Sequence, residues 1–213
     1  MKVLCLTLLL VLSFVSAAWA DIEFPAPKME GGIGVFDALN LRSSARSGSF
    51  PSQKLNNEEL SQILWAATGL NRDNKGGWTV PMARGLKPYC KIFVAIDSGT
   101  FLYDWEKNKL IEVSNQDIRS KIANQEFAKI SPCSLIFVTD MAVLGGGDKD
   151  LSYHFTSVAA GAMTQNAYLA AASMKLGARY IYGINRDFIH KELKLPEGDS
   201  AMCILLIGKY ALM

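Results

Sequence analysis

The sequence predicts an α+β domain, a central sheet flanked by helices, and three observations carry the prediction. Residues 90–96, 134–139 and 201–207 are short, nearly continuous apolar runs of strand length. Residues 60–67 and 161–177 instead place apolar side chains at helical spacing or around a whole helical circumference. Strand and helix signals mix along the chain without strict alternation, the pattern of α+β rather than of an alternating α/β chain.

Met1-Lys2 is followed by an apolar run to Ala17 and by Ala18-Trp19-Ala20. A basic start, a short apolar core and a small-x-small site describe a secretory signal peptide, with Asp21 as the first mature residue. The run is short against the ~20 residues of a membrane helix. Cys5 lies too early in it to carry lipid after cleavage. The expectation is an exported chain, periplasmic or secreted, with residues 1–20 removed, 21–213 forming one domain and no membrane span in the mature chain.

Charges nearly balance, at +2 net, and no basic stretch is concentrated enough for a nucleic-acid footprint. Cys90, Cys133 and Cys203 are odd in number and far apart, with no metal-type spacing. Each sits in or beside an apolar segment, so buried free thiols are expected. One disulfide stays open as an alternative in an oxidising compartment.

Residues 21–35 are rich in Pro and Gly and read as an extended lead-in, with a short helix over 36–41. Asn56, with Glu59 three residues on, predicts a capping box opening a helix that Gly69 closes. A polar loop (71–77) and an irregular segment (78–88) lead into the strand at 90–96, its returning partner at 100–104 and a third at 110–113. Asp117 is placed to cap a helix through about Lys129. The strand at 134–139 reads as buried on both faces, and the glycines at 145–147 as a loop. Residues 161–177 (GAMTQNAYLAAASMKLG) form the central helix, stopped by Gly177, with polar Thr164, Gln165 and Asn166 that need partners. A strand at 180–184, a short helix at 187–193 and the strand at 201–207 complete the chain.

No hydrolytic constellation stands out. His190 falls on a short charged helix and reads as solvated; His154 precedes the central helix and reads as packed against its aromatic neighbours. A triad or metal site has no residues to rest on. The informative cluster is Arg42-Ser43-Ser44-Ala45-Arg46. Two guanidiniums and two hydroxyls leaving a short helix suit a dianionic phosphate through forked, charge-assisted hydrogen bonds.

LRSSAR is followed in order by LSQILWAATGLNR (60–72), a Pro-x-Ala segment (81–83), the strand KIFVAI with its returning FLYD, and QNAYLAAASMKLG. This ordered set, over nearly all of residues 21–213, resembles the FMN-dependent nitroreductase family, most closely its azole-forming oxidase-like branch. The resemblance implies a mostly antiparallel sandwich that forms a homodimer, with one FMN in each of two interface clefts and the long central helix at that interface. It implies that Arg42 holds the phosphate, Ser43 and Ser44 contact ribityl and phosphate groups, and Arg46 sits near the flavin N1/O2 edge. A cation there stabilises the anionic reduced flavin. Pro81, Met82, Ala83, Gly85 and Lys87 would cover the pyrimidine side, with Gln165 on the central helix and Gly183 near the ring.

The chain departs from the family pattern in three places. Met82 and Gly85 replace a Ser and an Asn, Ala159-Ala160-Gly161 lacks an acidic residue, and no basic arm follows the last strand beyond Lys209. The expected function is two-electron, ping-pong transfer through FMN with a small-molecule electron acceptor or donor, a protein partner as donor staying open, and no side chain required as acid or base. A binding module that keeps the fold without turnover is the alternative that these departures favour.

Overall fold

Strand β7 (Cys133–Thr139) is buried along its whole length, as the apolar run Leu135–Val138 at its centre requires. In this computed structural model, which describes residues 21–47, 50–72, 77–83, 87–145 and 147–210, β7 lies inside a seven-stranded sheet. From one edge to the other the strands are β1 (Ile22–Glu23), β6 (Lys109–Ser114), β5 (Gly99–Asp104), β4 (Cys90–Ile96), β7, β9 (Ala201–Gly208) and β8 (Gly177–Ile181). Every neighbouring pair is antiparallel. Period-two alternation sends Leu135 and Phe137 into one core, and Ile136 and Val138 into another on the opposite face.

Helices α2 (Asn57–Thr68) and α5 (Lys149–Ser173) cover the first face through Ile63, Leu64, Met163 and Ala167. The second face is covered by α3 (Glu126–Ile130), α6 (Arg186–Glu192) and the segment around Ile118 and Ile122. This is the α+β sandwich the sequence predicts. No described helix is long and apolar enough to cross a membrane.

The capping box forms as read. Glu59 N–H donates to Asn56 Oδ1 at 2.8 Å, and Asn56 N–H to Glu59 Oε2 at 2.8 Å. Asn56→Ala removes one arm and is expected to cost about 1 kcal/mol of stability, measured by urea denaturation.

The central helix differs from its prediction at both ends. It begins at Lys149, where Asp148 caps it by accepting from Asp150 N–H and Leu151 N–H, so His154 lies within it rather than before it. It ends at Ser173, four residues before Gly177. Leu176 N–H donates to Ala171 O and Lys175 N–H to Ala172 O, closing the end with Lys175 at φ 58°. Gly177 opens β8 instead, where a Cβ would come within 2.5 Å of Pro51 and 2.8 Å of Tyr210.

The helix expected from Asp117 to Lys129 shrinks to α3. Asp117 accepts from the backbone and guanidinium of Arg119, two residues on, and Arg119 Nη1 donates to Ser131 O and Pro132 O. That local turn and its cross-brace compete with a helical ladder. The flanks of the polar loop at 71–77 pair as a small ribbon, β2 (Leu70–Arg72) with β3 (Gly77–Trp78), and a short helix α4 (Met141–Leu144) follows β7.

Candidate functional site

Two cavities lie along the outer edge of β8. Residues 178, 180 and 182 point to one side of the chain by strand alternation, toward α5. At the Ala178 end, a cavity of about 400 Å³ is lined by Ser43, Tyr168, Ala172, Lys175, Leu176 and Tyr210, among others. At the Tyr180 end, a second cavity of about 420 Å³ is lined by Tyr153, Gly161, Tyr180, Tyr182, Arg186 and Cys203 with their neighbours. Four residues of strand separate Ala178 from Tyr182, roughly 13 Å.

Local chemistry fixes this groove. Helix α1 (Val35–Leu41) ends at Arg42, and the chain then runs along β8, with Ser44 bridging Ala178 in parallel and Ala45 N–H donating to Ala178 O at 2.8 Å. Arg179 Nη1 returns a bond to Ala45 O at 2.8 Å. Tyr168 of α5 stands between the two cavities. Its hydroxyl accepts from Tyr180 N–H at 2.6 Å and shares a bond with Ser44 Oγ at 3.1 Å. At the aromatic end Arg186 is held by Ala201 O and Met202 O, with its guanidinium 5.0 Å over the Tyr182 ring. Gly161 faces this cavity openly, since a Cβ there meets nothing within 4 Å.

Of the residues singled out from sequence, Ser43 lines the first cavity, and Arg42 and Ser44 both reach Tyr168 in its wall. The Arg42 guanidinium lies 5.5 Å from the centre of the Tyr168 ring, Ser43 lines the wall and Ser44 braces Tyr168. Arg46 is exposed just beyond. Gly183 follows Tyr182 at the other end, in a tight turn closed by Ile184 N–H to Tyr182 O at 2.9 Å. Gln165 is exposed on α5.

Pro81, Met82 and Ala83 sit elsewhere. Asn166 Nδ2 donates to Thr79 O at 3.0 Å, Ala83 N–H donates to Tyr89 Oη at 3.1 Å, and Met82 packs on the first core. Lys87 pairs with Glu106 at 3.0 Å and lies over Trp105. Gly85 is outside the described residues. Asn166 and Tyr168 point about 200° apart on the helix, so within one copy α5 stands between the 81–83 segment and the Arg42 segment. Among the described residues no hydrogen bond, ion pair or ring contact joins the two.

Sequence reasoning missed Lys175, Tyr210, Tyr168 and Arg186. Tyr180 and Tyr182 were legible as an i, i+2 pair on one strand face; Lys175 enters only through the helix ending, which no local residue pattern marks.

A second exposed feature runs along α5. Leu151, His154, Val158, Gly161 and Gln165 recur at alternating spacings of three and four and are all exposed. Beside them on α1, which packs on α5, Val35 is 59% exposed and Phe36 82%. The helix read as apolar all round thus has one face in the core and one open seam.

Cys90, Cys133 and Cys203 are buried free thiols. Burial pushes Cys133 up to about 12 and Cys203 to about 11, and holds Cys90 well above the ordinary thiol range. Only the thiolate is nucleophilic, so the folded chain of residues 21–213 is expected to show no fast-reacting thiol toward a disulfide reagent at pH 8. All three should react once it is denatured. Among the described residues no group of three or more His, Cys, Asp or Glu is placed to hold a metal ion.

Residues 40–209 match the nitroreductase family profile. A protein of Methanocaldococcus jannaschii that carries the nitroreductase name is 28% identical over 185 residues, covering 83% of this chain and 91% of its own. A crystal structure from Ralstonia eutropha under the same name superposes with a TM-score of 0.83 at 33% identity, covering 91% of this chain and 90% of that one. The NADPH:FMN oxidoreductase of Vibrio harveyi, solved with NAD+, shares the fold at a TM-score of 0.58 and 19% identity, over 84% of this chain and 69% of that one. With the profile spanning about four fifths of its residues, and every strand of the large sheet except β1, this chain belongs to the nitroreductase family.

Proposed function

We propose that the chain is an exported oxidoreductase that binds FMN along the β8 groove and passes two electrons in ping-pong fashion between a small-molecule donor and acceptor. The observation that carries this reading is the pairing of two different cavities on one strand edge. One end offers hydroxyls and cations, from Ser43, Tyr210, Lys175 and the neighbouring Arg42, as a phosphate requires. The other offers aromatic walls, and at Gly161 a space free of side chain, as a flat ring requires. When bound, FMN supplies the redox chemistry itself.

The chain's own residues orient and enclose. Arg42 and Ser43 would anchor the phosphate, and Arg46, exposed just past Ser44, is free to set positive charge along the groove. Tyr180 and Tyr182 would exclude water from the ring. The open seam on α5 and the exposed Phe36 on α1 support a homodimer, in which residues 81–83 of a second copy would reach the groove that those of the first do not. The azole-forming branch is proposed on the segments 60–72 and 165–177 that carry the resemblance. Export rests on the character of residues 1–20.

Separate half-reactions test turnover. A reductant should bleach the bound-flavin absorption, and a nitroaromatic or quinone added afterwards should restore it. The alternative, a binding module without turnover, draws on Ala83 N–H being already committed to Tyr89, which leaves that segment one backbone donor fewer for a flavin. A flavin bound yet inert to every donor would establish that alternative and overturn the enzyme reading.

A further inference from the structure

We infer that Lys175, at the C-terminal end of α5, supplies phosphate-directed charge to the first cavity. The inference rests on the FMN reading above and names one residue's part in it. Lys209, directly after β9, is committed elsewhere: its Nζ pairs with Glu59 of α2 at 2.9 Å. Arg179, the cation next to Ala178, is likewise engaged, by Ala45 O at 2.8 Å and by the Phe127 ring 4.5 Å away. Lys175 lines the first cavity together with Ser43 and Tyr210. Among the described residues its ammonium has no carboxylate partner. An unpaired ammonium beside two hydroxyls, with Arg42 across the Tyr168 ring, is a donor set for a dianion.

The position also carries a backbone signature. Lys175 holds φ 58° where a helix end favours glycine. Strain alone argues nothing about function, because Lys194 holds φ 49° just past α6 without lining any cavity described above. That makes Lys194 an internal control. Glycine at either site relieves the same left-handed conformation, but only at 175 does it remove a charge from the cavity.

The test compares FMN with riboflavin, which lacks the phosphate, by quenching of flavin fluorescence. Lys175→Gly is expected to melt at a higher temperature than the parent without flavin and to bind FMN roughly tenfold more weakly, with riboflavin affinity unchanged. Lys175→Gln should weaken FMN in the same way without altering the backbone preference, and Lys175→Arg should retain binding. Lys194→Gly should share the stabilisation and keep full FMN affinity. If the parent binds FMN tightly and Lys175→Gly and Lys175→Gln bind it as tightly, the assignment of Lys175 is overturned while the FMN reading stands. Equal losses in Lys175→Gly and Lys194→Gly overturn it as well, since the effect is then one of helix ends. Failure of the parent to bind either flavin overturns the reading itself.

Discussion

Replacing Arg42 by Ala should weaken FMN binding by roughly 1.5–3 kcal/mol, the range for a hydrogen bond to a charged group, or about ten- to a hundredfold in the dissociation constant. The side chain leaves the end of α1 and lies over Tyr168, whose ring lines one cavity with Ser43 and Tyr210. Its removal takes away a forked cation without unpacking a core, because Arg42 is only half-buried and is held by no carboxylate among the described residues. The melting temperature without flavin should therefore stay within a few degrees of the parent's. Flavin titration separates the outcomes: an unchanged dissociation constant would show that the phosphate lies elsewhere.

The second large effect is expected at the open seam. Val158→Asp, on the exposed face of α5, should convert a two-copy assembly into single chains and abolish flavin binding with it. A twofold interface presents the substituted residue twice, so each change sets two carboxylates against an apolar contact. Several kcal/mol follow from like charges brought together in an interface, more than about a hundredfold in dimer dissociation. Phe36→Asp, on a side chain 82% exposed in the single chain, should do the same from α1. Molar mass by light scattering reads the result directly. A parent of single-chain mass, or variants of unaltered two-chain mass, would remove the second copy from the account.

Much of the fold was legible because it rests on local signals. The β7 stretch Leu135–Val138 has no polar break and is buried on both faces. The α2 boundaries follow from one capping box and one glycine. Where the reading failed, a long-range partner decided. Arg119 reaches from the turn at Asp117 to the carbonyls of Ser131 and Pro132, which no window of sequence around 117–129 contains. Gly177 has the residue type of a helix stop, yet Pro51 and Tyr210, far away in sequence, require it inside a strand.

The site divides in the same way. Arg42, Ser43 and Ser44 form a contiguous motif, of which Ser43 lines the first cavity while Arg42 and Ser44 reach its Tyr168. Lys175, Tyr168 and Arg186 are scattered through the chain and line the two ends of one groove only because β8 runs beside α5 and β9. The segment at 81–83 was read with Arg42 through family resemblance. Within one copy it is held on another side of α5 by Asn166, a separation that only the folded helix reveals.

The most direct measurement is titration of the folded chain, residues 21–213, with FMN, followed by flavin fluorescence and absorption. Saturable quenching at one FMN per chain, with riboflavin bound more weakly, is the expected result. Fluorescence identical to that of free FMN up to millimolar protein would contradict it.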